Sequence, residues 1–346
     1  MIVKNESSLL SRCLESIKDI ADEIIIADTG SEDDTKEKAR LYTDKIYDFP
    51  WVDDFSAARN FAFSKASKDY IMWLDADDIL TEESVKLLKK FKTAADCSAD
   101  MIMMPYQAAF DEGGRCTFSY YRERLMKREA GFVWEGAVHE AIAPRGNTVY
   151  LDIPVEHRPE HKESSERNIK IYEKLLAQKG TLNARECYYY ARELKEHGRI
   201  KEALRRLEEF SKRDDGWLED KKCACLLLAE CYEKLKDDKN RLSRLLKALE
   251  YGRPQASLCC ELGRCYADKG LFDTASFWFE SALNSPRARD GFVNEDDCGF
   301  TPSLWLCVCC DRLGEYDKAL SWHLKAKEYR PSHPAVLHND KYFFGD

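Results

Sequence analysis

The sequence predicts an α/β domain built on a mostly parallel sheet, followed by an all-α domain of repeated helical hairpins. Two observations carry this. From Met1 to about Gln107, apolar runs of strand length alternate with helix-period patterns, as expected of a sheet covered on both faces. Beyond residue 185, a helix–turn–helix pattern recurs at offsets of 38, 34 and 44 residues, near the period of hairpin repeats. The expected domains are 1–160 for the sheet, 161–184 for a linker and connecting helix, and 185–346 for the repeats.

Each element has its own signal. Ser8–Ile20 places Leu10, Cys13, Leu14 and Ile17 on one helical face. Glu23–Asp28 and Tyr70–Leu74 are short apolar runs that read as strands. Between them lie helices Thr35–Tyr42, with Asp33 and Asp34 as capping candidates, and Ser56–Ala66. Thr81–Lys92 follows, with Val85, Leu88 and Phe91 at helical spacing. Residues 101–152 turn to hairpin character, with a turn at Asp111-Glu-Gly-Gly114 and a strand around Phe132–Val138. His157–Asn168, charged and proline-containing, reads as the linker.

In the second half, Tyr190-Ala-x-x-Leu194-x-x-x-Gly198-x-x-x-x-Ala203 has the layout of the stretches beginning at Leu262 and Leu306. The glycine ends the first helix, and the alanine lies where two helices approach closely. A weaker copy from Leu228 has Lys236 and Arg241 at those two positions. The extra length before the last copy falls in the loop Ser285–Pro302.

The bulk numbers narrow the function. Hydrophobic residues make up 44% and charged residues 34%, with mean hydropathy of -0.56, as in a soluble globular protein. No apolar run reaches the ~18 residues of a membrane span. Met1–Glu6 lacks a basic region followed by an apolar stretch, so no secretory signal is expected. A net charge of -9 argues against nucleic acid as the partner and suits a protein that holds a cation. Of fourteen cysteines, eleven follow residue 180, on segments that read as helices. They are expected as buried free thiols in a reducing, cytoplasmic setting.

The strongest chemical signal is Leu74-Asp-Ala-Asp-Asp78 at a strand end. Strand alternation puts Ile71, Trp73, Asp75 and Asp77 on one face, so both carboxylates leave the sheet toward the crevice where ligands bind. Like charges that close repel unless a cation lies between them, and a divalent metal can bridge carboxylates to phosphates. The plainer reading is an acidic loop capping the helix at Thr81. Asp28-Thr-Gly-Ser31 follows another strand. Gly30 and Ser31 allow a tight turn there, and Asp28 can accept hydrogen bonds from a base or ribose. Arg59, between the two acidic motifs, suits a diphosphate.

Lys4-Asn-Glu6, Asp28-Thr-Gly-Ser, Ala58-Arg-Asn60 and Leu74-Asp-Ala-Asp-Asp78 together resemble family-2 glycosyltransferases of the Rossmann-like GT-A fold. The likeness is greatest to the subgroup with C-terminal tetratricopeptide repeats, which includes bacterial peptide glycosyltransferases. Such members carry several more residues of the first strand ahead of the equivalent of Met1. The resemblance implies a UDP-sugar donor, Mg²⁺ or Mn²⁺, and inversion at the anomeric carbon. By position, Val3 and Asn5 would border the uracil and Asp28 the base or ribose. Arg59 would lie near the diphosphate, with Asp75 and its neighbour Ala76 near the ribose. Asp75 and Asp77 would hold the metal.

Trp134-Glu-Gly-Ala-Val-His139-Glu140 is similar to an element of the same subgroup. Direct displacement at a sugar carbon needs a base for the acceptor's proton. Glu140 is the candidate, and His139 would orient it, help bind the metal, or act itself. The alternative is a structural pair of Glu140 with Arg124 or Lys127. His157 matches a third metal ligand of many GT-A enzymes, with His161 as its neighbouring alternative.

The expectation is a glycosyltransferase moving a hexose from a UDP-sugar to a peptide, protein or glycan. Helical repeats form a concave surface that suits an extended polypeptide, and a homodimer is compatible with the chain. The rivals are a non-catalytic repeat adaptor with a vestigial sheet domain, and a nucleotidyltransferase. The latter would show a glycine-rich basic loop, which Ile2-Val-Lys-Asn-Glu6 is not.

Overall fold

The computed structural model describes residues 1–93, 98–160, 166–287, 289 and 291–345, so Cys97 and His161 lie outside the described residues. The chain forms two compact units, Met1–Thr181 and Leu182–Asp346.

The first unit opens with β1 (Ile2–Val3), α1 (Leu10–Ile17), β2 (Ile26–Asp28), α2 (Thr35–Ala39) and β3 (Ile46–Asp48). The three strands form a parallel sheet in the order β1-β2-β3, with Ile2 opposite Ala27 and Ala27 opposite Tyr47. Val3, Leu10, Leu14, Ile26, Ala39 and Ala76 pack as its core. Then come α3 (Phe55–Ser64), β4 (Tyr70–Met72), β5 (Asp78–Ile79), α4 (Glu82–Thr93), β6 (Met101–Phe110) and β7 (Cys116–Lys127).

The β6–β7 hairpin is the spine of a second, mixed sheet. Antiparallel pairing joins β6 to β7 and β4 to β7. Later strands β10 (Thr148–Tyr150) and β11 (Val155–His157) lie parallel to β6. A short ribbon, β8 (Trp134–Glu135) with β9 (Ala141–Ile142), completes the strands. The strand expected around Phe132–Val138 is this short because Gly136 adopts φ +99 and turns the chain back.

His157 is not in a linker, contrary to the sequence expectation. It ends β11, paired antiparallel with Asp78 of β5, because the apolar Val155 two residues earlier anchors that strand in the core. Helix α5 (Arg167–Lys179) also belongs to the first unit. The hydroxyl of its buried Tyr172 donates to Val138 O at 3.3 Å, and Lys174 pairs with Asp53 at 2.6 Å.

A cavity of about 620 Å³ opens between the two sheets, lined by Met1, Ile17, Ile24, Ile71, Leu74 and Phe91 among others. The Met1 ammonium reaches into this region and donates to Ile25 O at 2.7 Å. Burial, helped by the positive charge of Arg59, pushes its pKa down to about 6.

The second unit is built from hairpins α6 (Ala184–Glu196)/α7 (Ile200–Ser211), α8 (Leu218–Lys234)/α9 (Asp238–Ala248), α10 (Ala256–Ala267)/α11 (Phe272–Leu283) and α12 (Phe300–Arg312)/α13 (Tyr316–Tyr329), with α14 (Pro334–Phe344) last. Gly198, Gly270 and Gly314 end their helices with φ of +75, +73 and +77, and Ala203, Ala275 and Ala319 are fully buried. The degenerate copy keeps the same shape with other residues. Lys236 adopts φ +58, and the buried Arg241 pairs with Glu233, Glu261 and Asp268 at 3.1 to 3.2 Å.

The described cysteines are free, and most are buried, including Cys307 and Cys310 at Cys-x-x-Cys spacing. Among the described residues, no helix is long and apolar enough to cross a membrane.

Candidate active site

Loops at the strand ends assemble the site. After β2, the Asp28 Oδ1 accepts from the backbone N–H groups of Gly30 and Ser31, both at 2.9 Å. This bend needs φ +105 at Gly30, where a side chain would be strained although space is open. The Asn5 Oδ1 accepts from Glu32 N at 2.8 Å, and the Asn5 N–H donates to Ser31 Oγ at 3.0 Å. Asn5 thereby ties the end of β1 to the same loop, itself in left-handed backbone at φ 54. The second carboxylate oxygen of Asp28 is buried without a partner, an acceptor poised for a donor from outside the chain.

Val3 and Ala76 form floor rather than hydrogen-bonding walls, since both lie in the core of the small sheet. Asp33 makes the capping bond of α2, to Thr35 N at 3.0 Å, while Asp34 makes none.

The motif Asp75–Asp78 turns on itself. The Asp78 N–H donates to Asp75 O at 3.0 Å, and the Asp75 N–H donates to Asp78 Oδ2 at 3.1 Å. That turn ends the strand alternation and sends the three carboxylates to different partners. Asp75 goes to Arg59, whose Nη2 lies 2.8 Å from Asp75 Oδ1 and whose Nε lies 2.5 Å from Glu140 Oε1. Asp78 is fully buried against Arg124 at 3.1 Å, and its Oδ1 accepts from the Tyr106 hydroxyl at 2.8 Å. Asp77 faces His157, with Oδ1 3.4 Å from Nδ1.

Asp77, Asp78 and His157 form a group whose ligand atoms all lie within 4.8 Å of one another. The His157 Nδ1 is buried with no hydrogen-bond partner. Burial acts against the imidazolium, but the two carboxylates outweigh it and push the His157 pKa up to about 10. Two carboxylates and an orphaned imidazole nitrogen fit a hard divalent cation such as Mg²⁺ or Mn²⁺. Asp75, expected as a ligand, is not in this group: the Arg59 guanidinium draws it toward Glu140, and Asp78 stands in its place.

Glu140 pairs with neither Arg124 nor Lys127 but with Arg59, itself sandwiched 4.9 Å from the rings of Trp73 and Trp134. Burial would raise the Glu140 carboxyl, yet Arg59 wins and holds it below the usual range. Arg59 is thus buried and balanced by two carboxylates, not open toward a diphosphate. His139, half-buried, holds φ +52 in the tight Gly136–Glu140 loop.

Sequence reasoning missed Asp78, Arg124 and Tyr106 as supports of the cation group. It also passed over Glu6, half-buried beside the cluster, whose carboxyl rises to about 7 through burial and the charges of Asp77, Asp75 and Asp33. The hydrophobic setting of Arg124 in β7 was the one signal for a buried partner, and nothing local said which carboxylate it would meet.

The first unit is thus an α/β domain with an acidic side-chain group and an aspartate-braced loop at its strand ends. Residues 1–145 match the model described as Glycosyl transferase family 2, and residues 256–288 match a tetratricopeptide repeat. The first unit therefore carries a family-2 glycosyltransferase domain, and the second a tetratricopeptide-repeat domain.

The chain is also similar to parts of known proteins. The SPbeta prophage-derived glycosyltransferase SunS of Bacillus subtilis is 28% identical over 213 residues, covering 56% of this chain and 48% of its own. A TPR repeat-containing protein of Synechococcus elongatus is 50% identical over 84 residues, which is 24% of this chain and 21% of its own. The lipopolysaccharide core biosynthesis glycosyltransferase LpsC of Rhizobium meliloti is 29% identical over 156 residues, 42% of this chain and 57% of its own. The chain thus spans about half or less of the first of these relatives' length, and little more than half of LpsC.

Proposed function

We propose that this chain is an inverting glycosyltransferase that uses a divalent cation to move a hexose from a UDP-sugar to a peptide or protein. The observation that carries the reading is the buried, unpartnered His157 Nδ1 facing Asp77 and Asp78 at a strand end, together with the buried, unpartnered carboxylate oxygen of Asp28 at the end of another strand. Asp77, Asp78 and His157 would hold the cation, with Asp78 fixed in place by Arg124 and Tyr106. A divalent cation held there would supply positive charge for a departing diphosphate.

Asp28 accepts from the base or ribose, on a loop that Asn5 braces. Glu140 takes the acceptor's proton, and Arg59 keeps it ionised and aimed. His139 orients the loop that carries it. The second unit holds the acceptor, and its buried thiols support a reducing, cytoplasmic setting. The test is a panel of nucleotide-sugar donors scored by UDP release, with and without EDTA. UDP release that EDTA abolishes supports the reading. No release from any donor favours a vestigial domain serving a repeat adaptor, and EDTA-insensitive release removes the cation role.

A further inference from the structure

The loop that presents Glu140 is held from two sides. On one side stands α3. Its Asn60 exchanges two hydrogen bonds with the backbone of Trp134, at 2.8 and 2.9 Å, and the Phe55 N–H donates to Ala137 O at 2.9 Å. Arg59, one turn further along α3, pairs with Glu140 itself. On the other side stands α5, which reaches the middle of the loop. The hydroxyl of Tyr172, a residue only 1% exposed, donates to Val138 O at 3.3 Å. Helix α5 also grips the entry to α3. The Arg167 guanidinium lies 4.7 Å from the Phe55 ring, and Lys174 pairs with Asp53 at 2.6 Å.

Both gripped segments contain backbone that side chains seldom adopt. Asp53 has φ +59 and His139 has φ +52. Such left-handed residues, when not glycine, persist only while their surroundings hold them. His139 follows the residue that Tyr172 holds and precedes Glu140, so the strained link lies between the grip and the carboxylate.

We propose that α5 sets the aim of the reacting carboxylate, with Tyr172 as the residue that positions Glu140. By holding Val138 O, Tyr172 keeps His139 left-handed. Without that bond His139 relaxes toward ordinary backbone, and Glu140, the next residue, swings off Arg59. Tyr172 is thus a positioning residue that acts through the loop. Lys174 does a lighter version of this at Asp53, because that pair is half-exposed and screened by water. The base role of Glu140 rests on the transferase reading above; the grip of α5 on the loop does not.

The test compares Tyr172→Phe, which removes one hydroxyl, with the unsubstituted chain in two measurements. In hydrogen–deuterium exchange, amides of residues 136–140 should exchange about five- to tenfold faster, the worth of one hydrogen bond, with the strands unchanged. UDP release is followed with Mn²⁺ and water as acceptor, from whichever donor of the panel above is turned over. There kcat should fall about tenfold or more with the KM for the donor unchanged, since the aimed base matters in the transition state. In a Glu140→Gln background the same substitution should cost less than about twofold, because the group it positions is gone. A merely structural role would cost as much in both backgrounds. Should Tyr172→Phe fail to fold, Lys174→Met loosens the grip at an exposed position and should move exchange and kcat in the same directions by about twofold. Unchanged exchange at 136–140, faster exchange with unchanged kcat, or equal losses with and without Glu140 overturns the positioning role. Faster exchange in a chain that releases UDP from no donor sinks the transferase reading, and the base role with it, while α5 still holds the loop.

Discussion

Arg241 in the repeats and the Asp75–Asp78 stretch in the first unit are both knots of buried charge, balanced in opposite ways. Arg241 is a buried cation ringed by Glu233, Glu261 and Asp268, all within 3.2 Å, and Arg264 shares Glu233 and Glu261 with it. It replaces the small residue of the repeat pattern and supplies its own partners, so nothing from outside is needed. In the acidic stretch, Asp75 and Asp78 are each met by an arginine, whereas Asp77 meets the imidazole of His157, whose Nδ1 has no hydrogen bond. Guanidinium partners are permanent and make structure, while an imidazole partner can give way to a ligand.

The sharpest way to break this contrast is Asp77→Ala. It should lower transfer by about 10³-fold or more, since it removes a ligand of the proposed cation. Melting without ligand should barely change, while stabilisation by UDP with Mn²⁺ disappears. Near-normal turnover would mean that the cation is held elsewhere.

Glu140→Gln comes next. Transfer should fall by about two to four orders of magnitude, the usual worth of a positioned base, with UDP and metal affinity retained. Equal loss of donor affinity would recast Glu140 as a partner that only positions Arg59.

Arg124→Met tests a matched charge in the same stretch. It strands the fully buried Asp78, so urea unfolding should show a loss of about 3–5 kcal/mol. Arg124→Met with Asp78→Asn should recover part of that loss, and a silent single variant would contradict the burial of the pair.

Arg241→Ala restores the repeat's usual residue yet should destabilise by about 1–3 kcal/mol, because Glu233 and Glu261 are left with Arg264 alone. A gain in stability would show the carboxylates to be well solvated without it.

The smallest effect belongs to Asp220 on α8, whose carboxyl burial pushes up to about 6 despite Arg185 and Arg192. The folded chain then binds more protons than the unfolded one between pH 3.8 and about 6, so stability falls as pH rises through that window. Asp220→Asn should therefore raise stability by about 1 kcal/mol at pH 7 and change nothing below pH 4, as read from paired melting curves. The same gain at both pH values would point to packing instead.

Much of this was legible in the sequence. The repeat layout fixed the hairpins even where Lys236 and Arg241 break it, because a left-handed lysine and a self-paired arginine still satisfy the backbone and the packing. The Leu74–Asp78 motif marked the strand end where the Asp77, Asp78 and His157 group lies. Its wiring was hidden, since strand alternation cannot foresee the turn at Asp75, and Arg124 reaches Asp78 from 46 residues away. His157 read as linker because its neighbours are charged, whereas the pairing of Val155 with Tyr106 pulls it into the sheet. Arg59 carries no mark that its partners would be Asp75 and Glu140 rather than a ligand.

Thiol-reactive dyes reach a protein through whichever cysteines solvent can touch. Here most of the described cysteines are free yet buried, and buried thiols are inert. Maleimide should therefore label the native chain slowly and the unfolded chain fast, so the repeat unit carries its own reporter of opening.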